Sequence, residues 1–238
     1  MRALLLLLMA LLLVACGAEQ RPLPTAAPAP TLPAIRELLA EPAAGPVTTF
    51  GYLYLTPDGA ALVDGLSLGL AEGPTPVDGA GLWLEPAPAL PDDAPLVEAN
   101  GARYGIVVAR GALEGPDAYG PQGAYRYRLA GAQVEPLSVR ELSIPLLLAN
   151  PALYEGQAVR LQGQLLASAD QALLVERIGA GGVPEASALQ LKLAIPPPDT
   201  AALSRLRQAG DGGIRFGPVE ITGLWRGGRL YPLSVVAR

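Results

Sequence analysis

The sequence contains no histidine, a single cysteine (Cys16) and a single lysine (Lys192) in 238 residues. Histidine is the commonest general base and the commonest ligand of zinc, copper and haem, and it completes most serine and cysteine nucleophile pairs. With one cysteine, no disulfide can form within the chain. These absences favour a non-catalytic protein without a metal or other cofactor. They leave carboxylate-based hydrolysis as the remaining enzymatic alternative.

Positive charge is also scarce, with 17 Lys+Arg against 22 Asp+Glu and a formal net charge of −5. Nucleic-acid binding depends on clustered Lys and Arg that neutralise phosphates, so we expect no nucleic-acid partner. Half of the residues are hydrophobic, which is enough for a substantial core. The 28 glycines and 25 prolines recur along the whole chain, as is typical of short strands joined by frequent turns.

The N-terminus has the pattern of a signal peptide. Met1-Arg2 precedes an apolar run over residues 3–14, which ends in the small residue Ala15 before Cys16. A helix that crosses a bilayer needs about 20 apolar residues, so this run is too short for a permanent span. Cleavage between Ala15 and Cys16 is the expected processing step.

The sequence LVAC at residues 13–16 resembles the lipobox of bacterial lipoprotein precursors. The resemblance implies that Cys16 is lipidated on sulfur and anchors the chain to the extracytoplasmic side of a cell membrane. An ordinary secretory signal is the alternative. A lone thiol would have no disulfide partner in an oxidising compartment, which favours the lipidated cysteine. Residues 17–32 are rich in Pro and Ala, and we interpret residues 16–32 as the lipidated cysteine and its tether.

The remaining chain repeats itself at an offset of 112 residues. Gly51 aligns with Gly163, and Gly111 aligns with Gly223, in matching apolar contexts. We therefore expect two similar domains over residues 33–140 and 141–238, after a signal peptide over residues 1–15.

Each copy has the pattern of a short helix followed by five strands. Alternating apolar residues predict first strands over residues 47–55 and 158–166, and Gly227-Gly228 predicts the turn of the last hairpin. In the second copy, a helix is predicted over residues 200–208 behind the N-cap Asp199, whereas prolines at residues 86–95 reduce it to a turn in the first. This order predicts a mainly β protein with two tandem five-stranded OB-fold-like barrels.

The opening of the second copy, NPALYEGQAVRLQG at residues 150–163, resembles the start of OB-like domains in bacterial exported proteins of uncharacterised function. The resemblance implies this fold and carries no catalytic residue. In the strands themselves, the four aligned glycines are expected at bulges or bends that let a small barrel curve.

Four aromatic residues are weak candidates for ligand binding. Trp83 lies in a predicted strand, and Tyr119, Tyr125 and Tyr127 lie on the long hairpin of the first copy. They could stack against a sugar or base, and cross-strand packing is the alternative. Asp64 and Glu176 occupy equivalent positions of the repeat. A paired carboxylate site is possible there, but solvated surface is the expectation.

The sequence thus predicts a membrane-anchored envelope lipoprotein, with no catalytic residue assigned, that serves as a binding or scaffold module. Its expected partners are the membrane, through the lipid, and an envelope protein or small ligand. One alternative is a solute- or glycan-binding lipoprotein associated with a transporter or the cell wall. The other is a carboxylate-dependent hydrolase.

Overall fold

Short segments of alternating apolar and polar residues fold this chain into a mainly β protein. The computed structural model describes residues 32–68, 73–77, 79–179, 182–209 and 213–238. Residues 1–31 lie outside the described residues, and with them the predicted signal peptide, Ala15, Cys16 and all of the predicted tether except Leu32. Leu32–Arg238 forms one compact unit. Within the described ranges, every helix falls short of the length and apolarity needed to cross a bilayer.

Most of the elements are strands. The first half contains, in chain order, α1 (Ile35–Ala40), β1 (Gly45–Thr56), β2 (Gly59–Val63), β3 (Leu66–Ser67), β4 (Thr75–Pro76), β5 (Gly81–Glu85), β6 (Val97–Ala99), β7 (Ala102–Glu114), a 3₁₀ turn (Pro121–Gly123) and β8 (Arg128–Pro136). The second half contains β9 (Arg140–Leu142), α2 (Ile144–Ala149), a 3₁₀ turn (Pro151–Tyr154), β10 (Ala158–Ala167), β11 (Ala172–Val175), β12 (Gln190–Lys192), α3 (Thr200–Ser204), β13 (Arg207–Ala209), β14 (Ile214–Arg226) and β15 (Arg229–Ala237).

Five strands of the first half close into a barrel. Their order is β1-β2-β5-β8-β7, and β7 pairs back onto β1 along almost its whole length. The β5–β8 pair is parallel and the others are antiparallel. This strand order is consistent with an OB-like barrel, in which the third and fifth strands pair in parallel. The predicted β-barrel class is thus confirmed for this half.

The second sheet has a corresponding strand order. It runs β12-β11-β10-β14, and β15 pairs with β14. Just beyond β12, Leu193 forms a parallel bridge with Leu230 of β15, and the backbone N–H of Ala194 donates to the Leu230 carbonyl at 2.8 Å. The chain just after β12 therefore meets β15 in parallel at a single bridge, in the position where β5 and β8 pair in the first half.

The aligned glycines make corresponding contacts. A Cβ atom on Gly51 would lie 2.9 Å from the Cδ1 atom of Ile35 in α1, and one on Gly163 would lie 3.1 Å from the Cδ1 atom of Ile144 in α2. In each half, an isoleucine at the start of the leading helix therefore packs directly over a strand glycine. A Cβ at either glycine would also lie within 2.9 Å of a backbone carbonyl of the neighbouring strand, at 2.6 Å from that of Val63 or 2.9 Å from that of Val175.

The other aligned glycines lie at the expected bulges. The β7–β8 register shifts between Arg110 and Ala112, around Gly111. The β14–β15 register shifts between Thr222 and Gly223. A bulge increases the local twist and bend of a strand, which a small closed barrel requires. Gly227 and Gly228 both have positive φ and form the predicted hairpin turn.

Three buried clusters fill the molecule. Because successive strand residues point to opposite faces, residues such as Leu53 fill the first barrel and residues such as Leu161 fill the second sheet. The third cluster draws on both halves, with Phe50 and Tyr52 of β1 packed together with Tyr231 and Leu233 of β15. We call it the junction cluster, because it joins the outer face of the first barrel to the second sheet.

Several predicted boundaries were wrong. The helix predicted over residues 200–208 ends at Ser204, because Arg207–Ala209 pairs with β14 as a strand instead. Its predicted cap is confirmed, since the Asp199 carboxylate accepts from the Ala202 N–H at 2.9 Å. The last strand of the first copy is predicted over residues 124–139 by its sequence, but it runs only over Arg128–Pro136, behind an irregular loop. The prolines of residues 86–95 hold only turns and extended backbone, as expected.

Candidate functional site

A row of side chains crosses the outer face of the first barrel. Strand register places Tyr104 opposite Tyr54, Tyr54 opposite Ala61, Ala61 opposite Trp83, and Trp83 opposite Arg128. Directly opposed residues on neighbouring strands share one face of a sheet. The three rings are half-buried and pack against the edge of the junction cluster. This arrangement leaves part of each ring accessible on a small surface.

The loop between β7 and β8 adds two tyrosines to this surface. Tyr119 and Tyr125 pair through both of their backbone N–H groups, at 2.9 and 3.1 Å. The Tyr125 ring lies 5.6 Å from the Trp83 ring, centroid to centroid. Gly120 sits between them with φ +70°, where a Cβ would lie 2.9 Å from both rings. We call Tyr54, Trp83, Tyr104, Tyr119 and Tyr125 the aromatic face.

Arg128 closes one end of the aromatic face. Its guanidinium lies 5.1 Å from the centre of the Tyr119 ring, a cation–π distance. The same group forms ion pairs with Glu85 at 2.8 Å and with Glu114 at 2.7 Å. These two hydrogen-bonded carboxylates raise the pKa of Arg128. The charge of Arg128 is therefore already paired within the chain, and its guanidinium holds the Tyr119 ring in place.

Tyr127 is the one candidate placed apart from the face. It packs against the cluster inside the first barrel, whereas Tyr125 packs against the junction cluster. Both tyrosines do line a groove of about 310 Å³, together with Leu39 and Gly81. The structure thus brings Trp83, Tyr119 and Tyr125 together, and it leaves Tyr127 on the neighbouring groove.

A second polar cluster lies in the junction between the halves. Asp64 follows β2 and is 2% exposed. Arg36 of α1 donates to its Oδ2 at 2.5 Å, and the Tyr231 hydroxyl of β15 donates to its Oδ1 at 3.0 Å. The expectation that Asp64 lies on solvated surface was wrong, because Tyr231 and the junction cluster cover it.

Burial governs the protonation of this cluster. Burial raises the pKa of the Asp64 carboxyl, and Arg36 and Tyr231 offset this increase only in part. Burial also raises the pKa of the Tyr231 hydroxyl, with the Asp64 charge adding to the effect. For Arg36, burial opposes the charged form, but the Asp64 carboxylate outweighs it and the pKa rises. The joint itself rests on the contacts, because Asp64 is hydrogen-bonded both to Arg36 of α1 and to Tyr231 of β15.

Arg226 makes a second joint beside the first. Its guanidinium lies 5.3 Å from the centre of the Phe50 ring and 5.0 Å from that of Tyr231. It donates to the Leu32 carbonyl at 2.6 Å and pairs with Glu37 of α1. One side chain at the end of β14 thus holds the leading helix of the first half against the second half.

Glu176 makes no carboxylate pair with Asp64. Its side chain is 34% exposed, and its nearest cation is Arg177 at 3.9 Å. Asp64, by contrast, accepts hydrogen bonds on both carboxylate oxygens, from Arg36 and from Tyr231. The equivalence of the two positions in the repeat therefore does not bring them into one site. Among the described residues, no three His, Cys, Asp or Glu side chains cluster as metal ligands would.

The opening motif of the second copy also has a visible role. Its turn places the Glu155 carboxylate where it accepts from the Gly227 N–H at 2.7 Å. The Pro151 carbonyl accepts from the indole N–H of Trp225 at 2.9 Å. The motif therefore fixes the β14–β15 hairpin that carries Arg226 and Tyr231.

Comparison with known proteins gave no further guide to the site. Searches against protein-family models, curated proteins and solved structures each returned no significant match.

Proposed function

We propose that this chain is a lipid-anchored envelope protein with two tandem OB-like barrels, which binds its ligand without catalysis. The corresponding strand orders support the tandem arrangement. So do the matching contacts of Gly51 and Gly163, and the bulges at Gly111 and Gly223. Lipid attachment at Cys16 would hold the protein stably at the membrane despite its acidic character, because two acyl chains suffice without a basic patch.

The aromatic face carries the binding proposal. OB barrels bind oligosaccharides and oligonucleotides on the face of their second and third strands and on the adjoining loops. Trp83 lies on the third strand of the first barrel, and Tyr119 and Tyr125 lie on the loop between its fourth and fifth strands. Half-exposed rings on such a surface offer stacking area at little entropic cost.

The charges select a glycan over a nucleic acid. Arg128, whose guanidinium contacts the Tyr119 ring of the face, is already paired with Glu85 and Glu114. Phosphate recognition needs cations that are not neutralised by the protein itself. Aromatic rings flanked by compensated charge suit the apolar faces of uncharged sugar rings. The favoured ligand is therefore a neutral glycan, such as a cell-wall polysaccharide.

Binding of the detergent-solubilised full chain to purified cell-wall glycan tests this role. We expect Trp83→Ala and Tyr125→Ala to weaken binding about 5- to 150-fold, since a stacked ring contributes about 1–3 kcal/mol. Phe216→Ala, which removes a half-buried ring from the second half, is the matched control and should bind normally. Equal binding by wild type and Trp83→Ala would contradict the proposal.

The anchor needs a separate test. Intact mass spectrometry of protein extracted from its native membrane should give a chain that starts at Cys16 and carries the mass of its acyl groups. The Cys16→Ser variant should lose this mass and leave the membrane fraction. A native product with an unmodified thiol would refute the anchor and leave the binding role to stand on its own test.

A further inference from the structure

A second cleft lies between the two halves, away from the aromatic face. The β3–β4 hairpin forms one wall and the segment that begins α3 forms the other. The lining residues are Ser67, Thr75, Pro76, Val77, Pro198, Asp199, Thr200 and Ala201, and they enclose about 370 Å³. The two walls lie close together around Gly65, just before β3. A Cβ added to Gly65 would lie only 2.8 Å from Pro198 of one wall and 2.9 Å from Val77 of the other.

Asp199 lines this cleft, and one oxygen of its buried carboxylate lacks a hydrogen-bond partner in the part of the chain that the structure describes. The residue is 2% exposed, and its Oδ1 accepts from the Ala202 N–H as the cap of α3. Its Oδ2 has no hydrogen-bond partner within the described residues. A buried carboxylate oxygen without a donor costs free energy, and proteins rarely leave one unpaired. Capping uses one oxygen, so it does not explain why the other is buried.

The chemistry of the walls indicates what the missing donor is. Ser67, Thr75 and Thr200 supply hydroxyl oxygens that can accept hydrogen bonds. Pro76, Val77 and Pro198 supply apolar surface beside them. A primary ammonium group carries three N–H donors and a positive charge, and its alkyl stem is apolar. Carboxylate, hydroxyls and apolar wall match these three properties together.

We infer that this cleft binds a primary alkylammonium group, with Asp199 Oδ2 as its counter-charge. Such a group belongs to a lysine side chain of a partner protein or to a free polyamine. The cleft holds one such group, and the hydroxyls of the β3–β4 hairpin share its remaining protons. The inference does not depend on glycan binding by the aromatic face.

Thermal unfolding and calorimetry of the detergent-solubilised full chain test the inference, with n-butylammonium chloride as the probe. We expect n-butylammonium to raise the melting temperature, whereas tetramethylammonium at equal ionic strength, which lacks N–H donors, should not. Asp199→Asn keeps a good helix cap but removes the charge, and it should weaken binding at least about tenfold. Thr75→Val, which leaves the cap untouched, should weaken binding by a smaller factor.

Comparison of Nα-acetyllysine methylamide with 1,4-diaminobutane identifies the natural source, because the tighter probe resembles it more closely. Three results would overturn the inference. These are equal melting shifts in wild type and Asp199→Asn, a larger shift with calcium chloride than with n-butylammonium, and no shift with any amine. The last would mean that water satisfies Asp199 Oδ2.

Discussion

Replacing Tyr231 with Phe tests how the two halves are joined. The change removes one hydroxyl and keeps the ring, which packs edge-on against Phe50 at 5.2 Å and beneath the Arg226 guanidinium. The lost hydroxyl is a donor to Asp64, which is 2% exposed. A hydrogen bond to a charged group contributes about 1.5–3 kcal/mol, and a buried acceptor left without its donor bears the whole loss.

We therefore expect Tyr231→Phe to lower the free energy of unfolding by about 2 kcal/mol. For a chain of this size, that corresponds to a fall of about 4–8 °C in melting temperature. Urea denaturation followed by tryptophan fluorescence measures it, because Trp225 is 1% exposed in the folded chain and unfolding brings it into water.

Tyr52→Phe is the matched control. Its hydroxyl also crosses the junction, but it pairs at 2.9 Å with the neutral Ser234 hydroxyl, so the loss should be only about 1 kcal/mol. Burial raises the pKa of Tyr52 to about 12, so both tyrosines stay neutral across the assay range. A Tyr231→Phe variant as stable as wild type, or less affected than Tyr52→Phe, would refute the reasoning.

Three further predictions concern strand curvature and pH. Gly223→Ala should lower the free energy of unfolding by about 2 kcal/mol, because the added Cβ would overlap the Tyr231 backbone carbonyl. The control is Gly79→Ala, whose added Cβ would lie 4.0 Å from its nearest neighbour. It should change the free energy of unfolding by less than about 0.5 kcal/mol in the same urea titration. The folded-state pKa of Asp64 is raised, so its stabilising contribution is complete below about pH 4 and is lost as pH rises through that raised value. The free energy of unfolding of wild type relative to Asp64→Asn should therefore fall over this interval. A rise would contradict this prediction. For Glu37, the Arg226 hydrogen bond outweighs burial and the pKa is lowered. Its contribution to the free energy of unfolding should therefore be present above about pH 4.5 and lost on acidification. Glu37→Gln should remove that loss from the acid titration curve.

Local patterns were sufficient to predict much of the fold. Alternation placed β1 and β10 within two residues of their observed ends, because each strand buries one face. The repeat singled out Gly51 and Gly163, whose matching contacts with Ile35 and Ile144 follow from the same packing in each half. Turn chemistry placed the Gly227-Gly228 hairpin, because few residues other than glycine accept positive φ at both positions.

Long-range contacts escaped prediction. Asp64 and Tyr231 are 167 residues apart, and Arg226 and Glu37 are 189 apart. Nothing near Asp64 in the sequence indicates that a tyrosine from the other half covers it, so its burial could not be foreseen. The helix predicted over residues 200–208 was too long for a similar reason, because β14 offered Arg207–Ala209 strand pairing that local propensity does not register.

The candidate site was predictable in part. Trp83, Tyr119 and Tyr125 were identifiable as aromatic residues in or beside predicted strands. Their contribution to one surface depends on the parallel pairing of β5 with β8, which brings Trp83 level with Arg128. Tyr54 and Tyr104 were missed, although their pairing across β1 and β7 follows once the strand register is known. The aromatic face can therefore be predicted only once the strand register of the barrel is known, because that register brings these separated residues to one surface.

Tryptophan NMR tests the central claim, ligand binding on the aromatic face, most directly. The full chain has two tryptophans, so ¹⁵N-labelled indole groups give two N–H signals. Trp225 is buried and its indole donates to Pro151, so its signal is an internal reference, whereas the half-buried Trp83 ring lies on the face. On addition of soluble cell-wall oligosaccharide, the Trp83 signal should shift in a saturable way while the Trp225 signal stays in place. A Trp83 signal that does not move at saturating oligosaccharide would contradict the account.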